Sequence, residues 1–341
     1  MFHGPEKAPA TRPDIGLFPG SHPSTTNHLH CNTTPAGCIH YVSRAFNTSA
    51  PFAANMFSLL CHLFLLGFSL VAAMPNKPTV VIVPGSWQLP IVWDEFRSVL
   101  EGAGHEAHHV ALPSIGGTTL PLTGLPEDVA AVRDVLNPLV AQGKEIVLLC
   151  HSSGGIVGSN AVEGFDVAAR QAAGKLGGVV RIVYLAAFML PQGQSLIGLL
   201  GGQPLPWMVI GVSSIPFPPH VQLDPGLLTP SQEDRVSGDP ALFPEVGFND
   251  LPAEEQTRWA QEATYTSLAL FTAPSPYEPW ANGIPGAFIF TTLDNALPYP
   301  LQQGMAAQLG PDFRNATLES GHCPFLSMPQ QLLAALEQVT C

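Results

Sequence analysis

The spacing of apolar residues changes repeatedly along the chain, and each change marks an element. Thr79–Val83 ("TVVIV") is a β-branched run closed by Pro84-Gly85, which predicts a short buried strand and a turn. Trp93, Phe96, Val99 and Leu100 then recur at helical spacing. "HEAHHVAL" alternates as a second strand, and Pro126–Gln142 opens Pro-Glu-Asp and keeps its apolar positions in helical register. "EIVLLC" predicts another buried strand running straight into His151-Ser152-Ser153-Gly154-Gly155. Further strands are expected at Val179–Ala187, Gly286–Thr292 and Phe313–Leu318, with a terminal helix after Pro329. Strands alternating with helices, without an internal repeat, predict an α/β domain whose mostly parallel sheet carries helices on both faces.

The first 73 residues break this alternation. Residues 1–55 are rich in Pro, Ser, Thr and Asn and hold His3, His22, His28, His30 and His40 with no apolar period, which predicts a disordered leader. The cluster of His28, His30, Cys31, Cys38 and His40 lacks the paired knuckles of a structural zinc site. An apolar run, 56–73, follows from Met56 to Ala73. Counted from Met56 it has the form of a secretory signal, with Val71 and Ala73 at the small-residue cleavage positions. Counted from Met1 it lies deep for a signal and is short for a span, which needs about twenty apolar residues. A secreted or membrane-anchored protein is expected if 56–73 is used, with membrane contact only through that run. A cytoplasmic protein is expected if translation starts at Met74. Either way the folded body is expected at 74–341.

Charge narrows the partners. Against 26 Asp and Glu the chain has 13 Lys and Arg, a formal charge of −13, so it lacks the basic face that a nucleic-acid binder needs. The acid excess belongs to the body, because the leader holds Lys7, Arg12 and Arg44 against Glu6 and Asp14. With 46% hydrophobic and 11% charged residues the chain is not of disordered composition, and six cysteines are too few for a disulfide scaffold of this length.

The chemistry concentrates in "EIVLLCHSSGGIVGSN". A serine between a buried strand and a helix, with small residues two positions either side, describes a nucleophile elbow. Cys150 and Gly154 are those small residues when Ser152 is the nucleophile; for Ser153 the earlier position would be the bulky His151. A serine nucleophile needs a base and a carboxylate to orient that base, in the chain order Ser, acid, His. His322 in "LESGHCPFLSMP" is the only histidine after His220, and Asp294 directly follows the strand "GAFIFTTL". Asp312 and Glu319 are the substitutes for the acid, on turns expected to face solvent. The oxyanion hole calls for two backbone N–H groups, expected from Ser153 and from Ser86 in "VPGSW". Trp87 and Gln88 would then line the substrate pocket, with core packing as the other reading of Trp87. His105-Glu106-Ala107-His108-His109 fits the zinc-protease pattern H-E-x-x-H, but on a strand its outer histidines would be about 13 Å apart. No metal is implied.

The residues "VIVPGSW", "LPSIGG", "LLCHSSGG", "GGVVRIVYLAAFMLPQGQSL", "FIFTTLDNALP" and "SGHCPFLSMP" carry a resemblance over Pro78–Cys341. That stretch resembles the α/β-hydrolase superfamily, and most of all its methylesterase and hydroxynitrile lyase branch and small fungal and bacterial hydrolases. The resemblance implies an α/β-hydrolase fold with a triad of Ser152, Asp294 and His322, Ser86 and Ser153 amides at the oxyanion hole, and no organic cofactor. Three positions depart from the pattern: Pro84 replaces the usual His, Cys150 the elbow's first Gly, and Gln88 a His frequent in methylesterases. The lyase branch resembles a hydrolase with Thr in the oxyanion turn and Lys after the catalytic His; here those positions are Gly85 and Cys323, which favours hydrolysis. The Pro- and Gly-rich stretch of about 190–280, with Trp207, Met208, Phe217 and Phe243, resembles a cap over the site. Together these imply a serine hydrolase for a small hydrophobic carboxylic ester, lactone or thioester, and by likeness to fungal relatives a tailoring role in secondary metabolism. A ligand-binding or receptor protein on the same fold is the alternative from another class.

Overall fold

The computed structural model describes residues 77–118, 120–211 and 234–340. The leader 1–55, the run 56–73, the Met74 start, and Phe217 and His220 of the insertion lie outside the described residues. The first half alternates as expected: β1 (Thr79–Val83), α1 (Asp94–Gly102), β2 (Ala107–His109), α2 (Leu125–Ala141), β3 (Glu145–His151), α3 (Gly154–Ala161), α4 (Val167–Ala172) and β4 (Gly178–Leu185). An insertion follows, containing α5 (Leu196–Leu199), β5 (Met208–Ile210), β6 (Arg235–Gly238), α6 (Phe243–Phe248), α7 (Ala253–Glu262), β7 (Thr266–Ser267) and α8 (Leu268–Thr272). The chain then returns through β8 (Gly286–Thr291), α9 (Tyr299–Ala306), β9 (Arg314–Leu318), α10 (Pro324–Ser327) and α11 (Pro329–Thr340).

Six strands form one parallel sheet in the order β2-β1-β3-β4-β8-β9. β1 is buried along its whole length and β3 from its second residue on, because helices cover both faces and leave no polar side. One set of helices comprises α1, α10 and α11, and the other pairs α2 with α3. β2 is shorter than its alternation predicted. As an edge strand it pairs only with β1, and Gly104 before it and Pro113 beyond it limit the pairing to three residues. The H-E-x-x-H match lies on this edge, where His105 contacts the Pro78 carbonyl, His108 contacts Glu106 and His109 contacts Arg97. Within the insertion, β5, β6 and β7 make a separate antiparallel sheet.

The fold places three loops at one edge. The carboxyl ends of β3, β8 and β9 lead directly to Ser152, Asp294 and His322, which is where open α/β sheets present their crevice.

Candidate active site

Ser152 sits on the turn between β3 and α3 with φ 52°, in the left-handed region that a residue with a Cβ enters at a cost of roughly 1–2 kcal/mol. Three backbone hydrogen bonds hold it there. Its carbonyl accepts from Gly155 N at 3.1 Å and Phe188 N at 2.9 Å, and its amide donates to the Leu185 carbonyl at 3.3 Å. The turn is tight enough that a Cβ on Gly154 would lie 2.5 Å from the Val83 carbonyl.

Cys150 fills the elbow position where glycine is usual, and the room for its thiol comes from α3. A Cβ on Gly158 would overlap Cys150 Sγ. Burial pushes the Cys150 thiol up, so it packs as a neutral group. Gly158→Ala is therefore expected to destabilise the protein by about 1–3 kcal/mol in a denaturant melt, and Cys150→Ala in the same chain to recover most of that loss. Equal midpoints for the single and double variants would contradict this pairing.

His322 and Asp294 are both buried, and His322 Nδ1 donates to Asp294 Oδ2 at 2.8 Å. Asp294 is fixed on all sides. Its Oδ1 accepts from the Ala296 and Leu297 amides at 2.8 and 2.7 Å, while Oδ2 also accepts from Thr291 Oγ1 at 2.9 Å. Fully buried Gln302 braces the same turn, accepting from Thr291 N at 3.0 Å and donating to the Leu297 carbonyl at 2.7 Å. With Nδ1 as the donor to Asp294, Nε2 of His322 is left as an acceptor. His322 and Ser152 line one cavity, with no side-chain hydrogen bond joining them. Asp312 and Glu319, the substitutes for the acid, are exposed.

His151 is fully buried beside Ser152, and its Nε2 donates to the His322 carbonyl at 2.9 Å. Its Nδ1 is then an acceptor, filled by Gln88 Nε2 at 3.1 Å, and Gln88 Oε1 accepts from Gly85 N at 3.0 Å. Burial, helped by the neighbouring His322, pushes the His151 pKa well below the ordinary histidine value, so the ring stays neutral. Gln88 does border the cavity, but both ends of its amide are committed to this bridge.

Ser86 and Ser153 also meet, in a way the sequence did not foretell. The Ser86 amide donates to Ser153 Oγ at 2.8 Å, and the two hydroxyls lie 2.7 Å apart. Trp87 follows at φ 68°. It lines the cavity and packs edge-on against Trp207 and Phe243, with ring centroids 5.1 and 5.6 Å away. Its indole N–H donates to the Val236 carbonyl at 2.8 Å, tying the turn after β1 to the insertion.

The cavity encloses about 740 Å³ of atom-free space, part of it open to solvent. Aromatic side chains of the insertion, Trp207, Phe243, Phe248, Trp259 and Phe271, supply much of its wall. No Lys or Arg is among the described residues that line it, and Glu262 is its one acidic residue. Cys323, where the lyase pattern has Lys, is buried near Asp294 and Asp250, which holds its thiol protonated.

Besides His151, several contributors escaped the sequence reading. Thr291 and Gln302 brace Asp294, and Asn249 and Asp250 touch the loops of Asp294 and His322. "FNDLP" reads only as a helix stop and restart, and a glutamine on an amphipathic helix carries no signal of its own.

The model of the Alpha/beta hydrolase family matches residues 80–336. Alpha/beta hydrolase nvfD of Aspergillus novofumigatus is 27% identical over 258 residues, spanning 74% of this chain and 92% of that protein. A chloroplastic protein of Arabidopsis thaliana named as methylesterase 11 is 25% identical over 268 residues, spanning 75% of this chain and 61% of its own. The crystal structure of a pyrethroid hydrolase from Sphingobium faniae superposes with a TM-score of 0.56 at 22% identity, covering 77% of this chain and 97% of that one.

Proposed function

The chain belongs to the alpha/beta hydrolase family, and from that premise we propose that it hydrolyses neutral, hydrophobic carboxylic esters, lactones or thioesters through an acyl-enzyme on Ser152. The observation that carries this reading is Ser152, held at φ 52° on a strand–helix turn and facing the same cavity as an Asp294-bound His322. Ser152 Oγ attacks the carbonyl carbon while Nε2 of His322 takes its proton. Asp294 keeps the imidazole in the tautomer that can accept and stabilises the imidazolium that forms. Collapse of the tetrahedral intermediate expels the alcohol or thiol, protonated by His322, and water activated by the same imidazole releases the acid.

Ser86 and Ser153 serve the oxyanion in this reading, but through altered atoms. The Ser153 amide stands at the start of α3, where N–H groups lack intrahelical partners. The Ser86 amide is committed to Ser153 Oγ, and the hydroxyl pair shares two protons across one hydrogen bond. One hydroxyl proton remains for the substrate oxygen whichever serine donates to the other.

The walls favour a neutral substrate. A substrate carboxylate would be desolvated in an aromatic cavity whose described lining residues include no cation, and Glu262 would repel it.

Labelling with a fluorophosphonate probe, comparing the wild type with Ser152→Ala, tests the assignment. Wild-type labelling that maps to Ser152 and vanishes in the variant is expected, together with turnover of neutral 4-nitrophenyl esters in preference to acidic ones. Equal labelling of both proteins would overturn the nucleophile, and labelling without turnover of any ester, lactone or thioester would favour the ligand-binding alternative.

A further inference from the structure

The insertion reaches the catalytic loops as well as the cavity. Helix α6 carries Phe243, Gly247 and Phe248 in the cavity wall and ends at Asn249. Neither Asn249 nor the next residue, Asp250, lines that cavity. Asn249 Nδ2 donates to the carbonyl of Leu293, the residue before Asp294, at 2.7 Å. Asp250 Oδ2 accepts from the amide of Gly321, the residue before His322, at 2.8 Å, and from Ser327 Oγ at 2.6 Å. One carboxylate therefore grips the His322 loop and the end of α10 that follows it, and its neighbour grips the Asp294 loop.

A second observation supports the closeness of this contact. A Cβ on Gly321 would overlap Asn249 Oδ1 and lie 2.7 Å from Asp250 Oδ1. The loop is glycine where the pair presses against it.

We propose that Asn249 and Asp250 are positioning residues that latch the insertion onto the loops of acid and base, so that the reactivity of Ser152 depends on the seat of α6. The proposal rests on the serine-hydrolase reading above. It links substrate to catalysis by a short path: a ligand packed against Phe243 and Phe248 bears on the helix whose end holds both loops. Misplacement of a base by about 1 Å costs on the order of 100-fold, so hydrogen bonds outside the cavity can act on the chemical step. Asp250→Asn, with its amide oxygen in the place of Oδ2, keeps an acceptor for both Gly321 N–H and Ser327 Oγ, whereas Asp250→Ala removes both contacts.

The test is the rate of fluorophosphonate labelling together with kcat and KM on a neutral 4-nitrophenyl ester, with a thermal melt of each variant. Asp250→Ala is expected to slow labelling and kcat by about 10-fold to 100-fold with KM within about 2-fold of wild type. Asp250→Asn should recover most of that loss. Leu205→Ala, a cavity variant outside α6, should act mainly on KM. If Asp250→Ala does not fold, Asn249→Ala and Gly321→Ala carry the same kcat readout. Wild-type labelling and kcat in those variants, or an effect confined to KM or to the melting temperature, would overturn the latch alone. Absence of Ser152 labelling in the wild type itself would overturn the nucleophile assignment and the latch with it.

Discussion

Ser152→Ala is expected to lower kcat/KM for any substrate ester by more than about 10⁴-fold, the scale seen when a triad nucleophile is removed. The loss is that large because no neighbouring group can take over. The Cys150 thiol is buried and faces Gly158, and the Cys323 thiol is held protonated. Ser153 Oγ is engaged with Ser86. Alanine at φ 52° bears the same left-handed strain as serine, so the melting temperature should stay near that of the wild type. Ser152→Gly, equally inactive, should melt higher because glycine enters that region freely. A steady-state assay with a thermal melt checks both statements. Retained turnover, or collapse of the fold in Ser152→Ala, would contradict them.

Asp294→Asn is expected to cost about 10⁴-fold in kcat with little change in fold, through the tautomer of His322. Two backbone amides point at Oδ1, so the asparagine oxygen is drawn to that side. The amide nitrogen then faces His322 Nδ1, where it can only donate. The imidazole is left with its proton on Nε2 and cannot accept one from Ser152. Asp294→Ala should be less well folded, since Thr291, Gln302 and the two amides would lose a common acceptor. A kcat for Asp294→Asn within 10-fold of wild type would mean that another group orients the base.

The sheet was legible where burial on both faces leaves continuous apolar runs, as in β1 and β3. At the edge the same reasoning overran, because alternation in "HEAHHVAL" does not say how many residues find a partner. Ser152, Asp294 and His322 could be singled out because each follows the end of a strand, β3, β8 and β9 in turn. Cys150 was visible as a departure, but its accommodation by Gly158 was not, since that depends on which side of α3 faces β3. Long-range polar contacts left no trace. Asn249 meets a loop 44 residues away, Asp250 one 71 residues away, and His151 a carbonyl 171 residues away. Nor could the sequence show that the Ser86 amide turns to a hydroxyl, because backbone direction within a turn is not written in residue type.

The covalent intermediate is the central claim, and acid-quenched mass spectrometry during turnover of a 4-nitrophenyl ester of a medium-length acyl chain tests it most directly. One acyl group is expected on the peptide containing Ser152, accumulating within the first turnover, decaying as substrate is exhausted, and absent from Ser152→Ala. Turnover at full rate with no acylated peptide, or an acyl group on any other residue, would contradict it.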